Sequence, residues 1–438
     1  MARSIARSTR FLAPAALAGL ALWTTLAAAS DAGAGADERR ADPFEITIKA
    51  TGLVSRAPDD MALYPVRDSA SSLWRMRLTY QGRPAEGVRT ELAYEQRARL
   101  QSEGAGAAGA AGLLPSAAEA PYRLTQLDWL IADAGETYAY RHEIDRASVS
   151  FDLELAGHRG RVTLGRQAVG MGRGVIFGAV DVFAPFSPLE VDRDWRRGVD
   201  AARADFALTD TTSFDVTAAF GADHDHDAVV ARLRGYSPGS GADGELIVGR
   251  RARDWMYAGV FSRPVGGAEA HCELAVFEIP EHAGDGELFG ADHLTARLVI
   301  GGSYNFAGVG EGGLKVFAEY HYSGFGVSSI EHAVARRDDS VFLERFARGD
   351  MQILGQHAVA VQALYEIADA WSLAATWIAS PADGSGIVAP TLTWSVSDAA
   401  TMILGAYFPY GPGSSHGTLR SEYGASPATL LVQLKLSG

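Results

Sequence analysis

From Phe44 to the end of the chain, apolar and polar residues alternate with a period of two. Trp74, Met76, Leu78 and Tyr80 alternate with Arg75, Arg77 and Thr79. Val149, Phe151, Leu153 and Leu155 alternate with Ser148, Ser150, Asp152 and Glu154, and Leu430, Val432, Leu434 and Leu436 with Thr429, Gln433 and Lys435. Such alternation predicts strands with one apolar and one polar face. A soluble sandwich shows the same period, so segment length decides. The segments run to about ten residues, the length of a strand tilted across a bilayer, whereas soluble strands average about five or six.

Connections point the same way. Short ones at 209–212, 264–267, 368–370 and 397–399 alternate with longer or more polar ones, as inner turns alternate with outer loops in membrane barrels. Trp74, Tyr80, Tyr94, Trp371, Trp377, Trp394, Phe408 and Tyr410 fall on the apolar face near segment ends, where interfacial aromatics sit. The predicted fold is all-β: a single transmembrane antiparallel β-barrel of about 18 strands, within a range of 16 to 20, spanning residues 44–438. The stretch Tyr122 to Ala132 is read as loop, because counting it as a strand gives an odd number and breaks the alternation of sides.

Residues 1–29 read as a cleaved secretory signal. Arg3, Arg7 and Arg10 precede an uncharged apolar run from Phe11 to Leu26, and Ala27-Ala28-Ala29 offers small residues for cleavage. Residues 30–43, rich in Ala, Gly and charge, form a flexible tail. No later stretch of 18 or more residues is apolar and uncharged, so any further membrane crossing is by strands. The lone Cys272 excludes an internal disulfide and takes an apolar role in its strand. A formal charge of −14 argues against nucleic acid as a partner.

One connection stands apart. From Gly165 to Asp200 the chain reads GRQAVGMGRGVIFGAVDVFAPFSPLEVDRDWRRGVD, far longer than its neighbours. Val175, Ile176, Phe177, Val180, Val182, Phe183 and Phe186 carry apolar surface that a free loop does not leave in water, so the segment docks on something. Arg166, Arg173, Arg193, Arg196 and Arg197 face possible partners in Asp181, Glu190, Asp192 and Asp194. The expected place is inside the barrel or over its mouth.

The run Thr163-Leu164-Gly165-Arg166-Gln167, then Gly172-Arg173-Gly174, Asp181-Val182-Phe183, Pro185-Phe186-Ser187-Pro188, Asp192-Arg193 and Gly198-Val199-Asp200 resembles a family of Gram-negative outer-membrane β-barrels. That family is porin-like and similar in style to alginate-export barrels. Its pattern has a tryptophan and two asparagines where this chain has Met171, Gly178 and Ala184. Its members usually end in an aromatic residue, and this chain ends Leu436-Ser437-Gly438. The resemblance implies an outer-membrane location.

Parity gives a polar lumen in which bases and acids balance, including Glu273 and Glu319. The residues expected at a constriction are Arg166, Arg173, Asp181, Asp192 and Arg193 in the long connection, with Arg75, Arg77, Arg89, Arg97 and Arg146 from the early strands. No metal and no cofactor is expected. The histidines nearest to a ligand pattern are His224 and His226, in the run Asp223 to Asp227, and His293 and His321. Strand direction places His271 far from His293 and His321. Residues 341–346 suggest a short amphipathic helix. No nucleophile elbow, zinc-protease spacing or phosphate loop is present, so the chain does not read as an enzyme.

The expected function is a porin-like channel for small hydrophilic, in particular anionic, solutes, with 165–200 as constriction or plug. The alternative is a non-conducting barrel that scaffolds surface polysaccharide or envelope assembly; an outer-membrane hydrolase ranks last. Expected partners are outer-membrane lipid, a small solute and further copies of the chain.

Overall fold

Among the described residues, Phe44 starts the first of 21 strands in chain order. They are β1 (Phe44–Arg56), β2 (Asp68–Ala85), β3 (Val88–Gln101), β4 (Asp128–Asp133), β5 (Tyr138–Leu155), β6 (His158–Ala168), β7 (Gly198–Ala207), β8 (Thr212–Ala219), β9 (Ala228–Ser237), β10 (Ala242–Arg251), β11 (Asp254–Val265) and β12 (Ala268–Glu278). Then come β13 (Leu294–Phe306), β14 (Leu314–Ser323), β15 (His357–Ala368), β16 (Trp371–Ser380), β17 (Ser385–Ser397), β18 (Ala400–Tyr410), the small hairpin β19 (Ser414–Ser415) and β20 (Thr418–Leu419), and β21 (Ala428–Ser437). The structure is a computed structural model that describes residues 43–102, 122–125, 127–133, 137–190, 192–280, 293–309, 313–335, 345–346 and 348–438. The leader and nearly all of the tail read from the sequence lie outside these residues.

Neighbouring strands pair antiparallel in chain order, and β1 closes on β21 from Thr47↔Ser437 to Arg56↔Ala428. The result is a closed barrel of 18 strands. Closure gives every wall strand two partners, the condition for crossing lipid without orphaned peptide groups. Leu430, Leu246, Ile300, Trp255 and Phe261 are exposed on the outer surface, while Lys49, Arg75, Glu95, Asp215, Glu273 and Glu319 point inward and are buried. Apolar-out and polar-in is the pattern of a transmembrane barrel. Short turns such as those joining β2 to β3 and β5 to β6 share one end with the start of β1 and the finish of β21, the inner end. The longer connections share the other.

Two features depart from the sequence reading. The first is β4, which lies in the stretch expected to be loop. It pairs with β5 from Asp128↔Glu143 to Asp133↔Ala139, over a part of β5 that also pairs with β3. β6 leaves the wall at Ala168, so it never reaches this outer part of β5. β4 takes the vacated position and joins the sheet as an extra strand without altering the 18-strand circuit. Counting strands by length and parity misses it, because it is short and pairs on one edge.

The second is the interior, which is not polar throughout. The inward faces of β9 to β13 carry Val230, Ile247, Met256, Phe277 and Val299, all buried and packed with Val180, Val182 and Phe183 of the long connection. The signal was in the sequence: Leu246-Ile247-Val248, Trp255-Met256-Tyr257 and Leu298-Val299-Ile300 are runs of three apolar residues, so these strands are apolar on both faces. Of the helix expected at 341–346, only 345–346 fall within the described residues, in helical conformation; a separate short helix, α1 (Ile330–Ala335), lies earlier in the same outer connection.

Candidate functional site

The chain leaves the wall after Ala168, enters the lumen and rejoins the wall at Gly198. Two carboxylates from the wall hold its tip. Glu273 of β12 accepts from the backbone N–H groups of Arg173 and Gly174 (2.7 Å) through Oε1, and of Ala179 (2.7 Å) and Val180 (3.3 Å) through Oε2. Glu319 of β14 accepts from Val175 (2.6 Å), Ile176 (3.0 Å) and Phe177 (2.9 Å). A turn that aims successive N–H groups at one point makes a concave anion site, and here the anion is supplied by the wall. Gly172 is needed for this path: its φ is +93°, and a Cβ there would stand 2.4 Å from Glu273 Oε1.

His271 Nε2 donates to Glu319 Oε1 over 3.1 Å. This corrects the expectation for His321, which is two residues from Glu319 on β14, while His293 stays at the outer end, far from His271 as expected. The barrel's stagger brings His271, Gly301 and Glu319 into one cross-strand row. Glycine in the middle of the row lets the outer two meet, since a Cβ on Gly301 would come within 2.7 Å of His271 Nε2. His321, one residue pair further along β14, stacks under Phe177 with centroids 4.9 Å apart. His293 lies exposed at the outer end, and His224 and His226 are exposed and paired with Asp227 and Asp223. Among the described residues no three His, Cys, Asp or Glu side chains converge as a metal site.

The other end of the connection docks on the opposite wall by different means. Asp192 accepts from Lys49 (2.5 Å) and Arg75 (2.5 Å), and Asp194 pairs with Lys49 (2.7 Å) and Lys435 (2.8 Å). Trp195 lies against three cations: Lys49 Nζ is 3.9 Å from its ring centroid, Arg77 5.0 Å and Arg75 5.1 Å. From there a charge network runs along the wall. Glu95 joins Arg75 (2.9 Å), Arg77 (3.3 Å) and Arg97; Glu143 joins Arg97 (2.6 Å) and Arg123 (2.8 Å); Asp145 joins Arg77 (2.8 Å) and Arg146 (2.6 Å) and accepts from Gly198 N–H (3.0 Å).

Of the residues expected at the constriction, the structure brings Arg75, Arg77, Arg97, Arg146 and Asp192 into this one network. Arg173 reaches β10, 3.3 Å from Asp243, and Arg193 binds the carbonyls of Val175, Ser187 and Pro188, fastening the connection to itself. Asp181 pairs with Arg196, which also stacks on Phe186. Arg166 sits in the wall seam beneath β4, bound to Asp200 (2.8 Å) and to the carbonyls of Ile144 and Thr125. Arg89 pairs with Asp152 near the inner end.

Lys49, Arg123, Glu143, Asp145 and Trp195 escaped the sequence reading. Asp145 escaped because parity counted back from Val149 and Ala147 points it outward. A β-bulge places Arg146 opposite Ala93 and Ile144 opposite Tyr94, so Asp145 is the extra residue and turns inward with Arg146. No signal in the chain announces that bulge.

Beyond the network, Arg97 and Arg141 are direct cross-strand partners, and Arg99 follows on the same face of β3; among the described residues Arg99 has no carboxylate partner. Burial, then the nearby Arg97, pulls Arg197 of the connection down to about 10, which leaves it cationic at neutral pH. The wall from β15 to β18 differs: its inward residues include Gln362, Thr376, Thr391, Thr393 and Thr401, uncharged and mostly small, with Glu366 of β15 the charged one at the inner end.

No family model and no curated protein matches the chain. Solved structures do. Acinetobacter baumannii OccAB1 superposes with a TM-score of 0.52 at 8% identity, covering 90% of this chain and 96% of its own. Pseudomonas aeruginosa OccK9 (OpdG) gives 0.52 at 10% identity, with 90% and 97% covered. A BenF-like porin from Pseudomonas fluorescens Pf-5 gives 0.50 at 9%, with 90% and 98% covered. The fold is that of Gram-negative outer-membrane porins. Identities this low carry the fold and leave the solute to be argued from the chain's own residues.

Proposed function

We propose that the protein is an outer-membrane channel, not an enzyme, that passes small hydrophilic anions between the charged wall of β2, β3 and β5 and the hydroxyl-lined wall of β15 to β18, with residues 169–197 as a fixed constriction. The observation that carries this is the docking of the connection across the lumen. Seven backbone N–H groups on Glu273 and Glu319 hold one end, and the Asp192–Lys49–Arg75 cluster holds the other. Arg99, Arg141 and Arg197 supply positive charge beside the gap, facing small hydroxyl side chains that let water and solute slide. Guanidinium groups suit carboxylate or phosphate solutes, because their N–H groups fork toward two oxygens at once.

Planar-bilayer recording tests the reading. Excising Val175–Pro188 raises single-channel conductance several-fold, and the intact channel shows anion-over-cation selectivity in a salt gradient. Intact protein that inserts and carries no current, with the excised form equally silent, would replace the channel by the non-conducting scaffold.

A further inference from the structure

On the outer surface of the barrel, two histidines are held in the same way at the same level. His142 of β5 faces outward, because its neighbour Glu143 points into the lumen; its Nδ1 lies 3.1 Å from the hydroxyl of Tyr94 on β3, and Trp129 of β4 stacks on its ring, with centroids 4.8 Å apart. His357 of β15 faces outward beside the inward, buried Ala358; its Nδ1 lies 2.8 Å from the hydroxyl of Tyr320 on β14, and Tyr322 packs on its ring at 5.3 Å. Around the first pair, Gln96 donates to Tyr94 (3.3 Å) and accepts from Tyr140 (3.0 Å).

Their height is set by the strands. Outward residues of β15 run Ile367, Tyr365, Ala363, Val361 and Val359 before reaching His357, its outermost residue; those of β5 run Leu155, Leu153, Phe151, Val149, Ala147 and Ile144 before His142, with Tyr140 and Tyr138 beyond it. Each histidine thus stands where the aliphatic band ends at the outer side, the level of the lipid headgroups. Gln96 donates to the Tyr94 hydroxyl, which leaves that hydroxyl's own proton for His142 Nδ1 and so puts the imidazole proton on Nε2, and the Tyr320–His357 pair repeats the arrangement. An aromatic girdle needs only amphipathic rings. Two rings locked so that a donor stays available need an acceptor.

The geometry points to these Tyr94–His142 and Tyr320–His357 pairs as two seats for the phosphate groups of the outer-leaflet phosphoglycolipid, with Trp129 lying beside the sugar at the first seat. This rests on the outer-membrane placement and not on any solute passing through the lumen. The chain carries a net charge of −14, so an anionic headgroup is held at particular donors and not by a general attraction.

Native mass spectrometry of the full-length protein, reconstituted with lipid A, with dephosphorylated lipid A or with phosphatidylglycerol, tests it. Wild type retains two lipid A molecules, and His142→Phe and His357→Phe each lose one, with about tenfold weaker retention at the altered seat. Tyr94→Phe, which keeps the ring and frees Nδ1, weakens the first seat alone. Conductance of all three variants stays at the wild-type value, which establishes that they fold. Equal retention of dephosphorylated lipid A, equal retention by the double histidine variant, or stronger retention of phosphatidylglycerol than of lipid A overturns the assignment.

Discussion

The connection at 169–197 is fastened at both ends, and the two fastenings differ in kind. At β12 and β14, single carboxylates collect backbone N–H groups, and the surrounding faces are apolar. At β1 and β2, side-chain charges meet each other and a tryptophan ring. The first arrangement depends on the path of the main chain, so it fixes a shape. The second depends on charges meeting charges, so it fixes a potential. One loop therefore serves as wall and as electrode, with each job set at its own end.

The largest effect is expected from the first fastening. Glu273→Ala together with Glu319→Ala leaves seven loop N–H groups without their acceptors, and each buried orphan costs about 1–3 kcal/mol. Current through the double variant becomes larger and noisy, and added protease cuts within 172–180, at low and high salt alike. A quiet, wild-type current in this variant would mean that apolar packing alone holds the tip. Asp192→Ala takes one of two carboxylates from each of two buried cations, since Lys49 keeps Asp194 and Arg75 keeps Glu95, so the cost stays below the roughly 3–5 kcal/mol of a fully broken buried pair. Anion selectivity rises, and the rise shrinks as salt is added; a salt-independent change would show that this end too acts through shape.

A smaller effect follows from placing charge on the bare wall. Thr391→Asp, on the hydroxyl-lined side, lowers anion selectivity by about two-fold in reversal-potential measurements without altering heat-resistance of the folded band on gels. The smallest comes from outside the membrane. Glu422, between β20 and β21, accepts from the N–H groups of Leu354 (2.7 Å) and Gly355 (3.0 Å), and burial, with Asp383 nearby, pushes it up to about 7. A carboxyl raised in the folded state stabilises below its ordinary value, near 4.5, and that stability is lost as pH rises to about 7. The protection factors of the 354–355 amides, with intrinsic exchange divided out, therefore fall between those values and level off above, and Glu422→Gln abolishes that fall.

Much of this was legible in the chain. Alternation with ten-residue segments announced a membrane barrel of the right size, because lipid on one side and water on the other write a period of two into every strand. The docked connection announced itself through Phe177, Val180, Val182 and Phe183, residues with nowhere to go in water. Glu273 and Glu319 were placed on the inner face by parity, but their task was not readable: backbone N–H groups leave no mark in a sequence. Asp145 was hidden by a bulge and the His271–Glu319 contact by stagger, both properties of strands together and of no strand alone.

β4 carries one more consequence. Tyr122, just before it, is fully enclosed, with its ring on Phe183 of the docked connection and its hydroxyl bonded to Arg251 of β10, while its carbonyl accepts from Asp200 N–H. A residue that is walled in by a loop and by a strand made later in synthesis cannot settle until both have arrived. The gap above β6 is thus closed through contacts with the docked connection and with β10, so the seal depends on parts of the chain far from it in sequence.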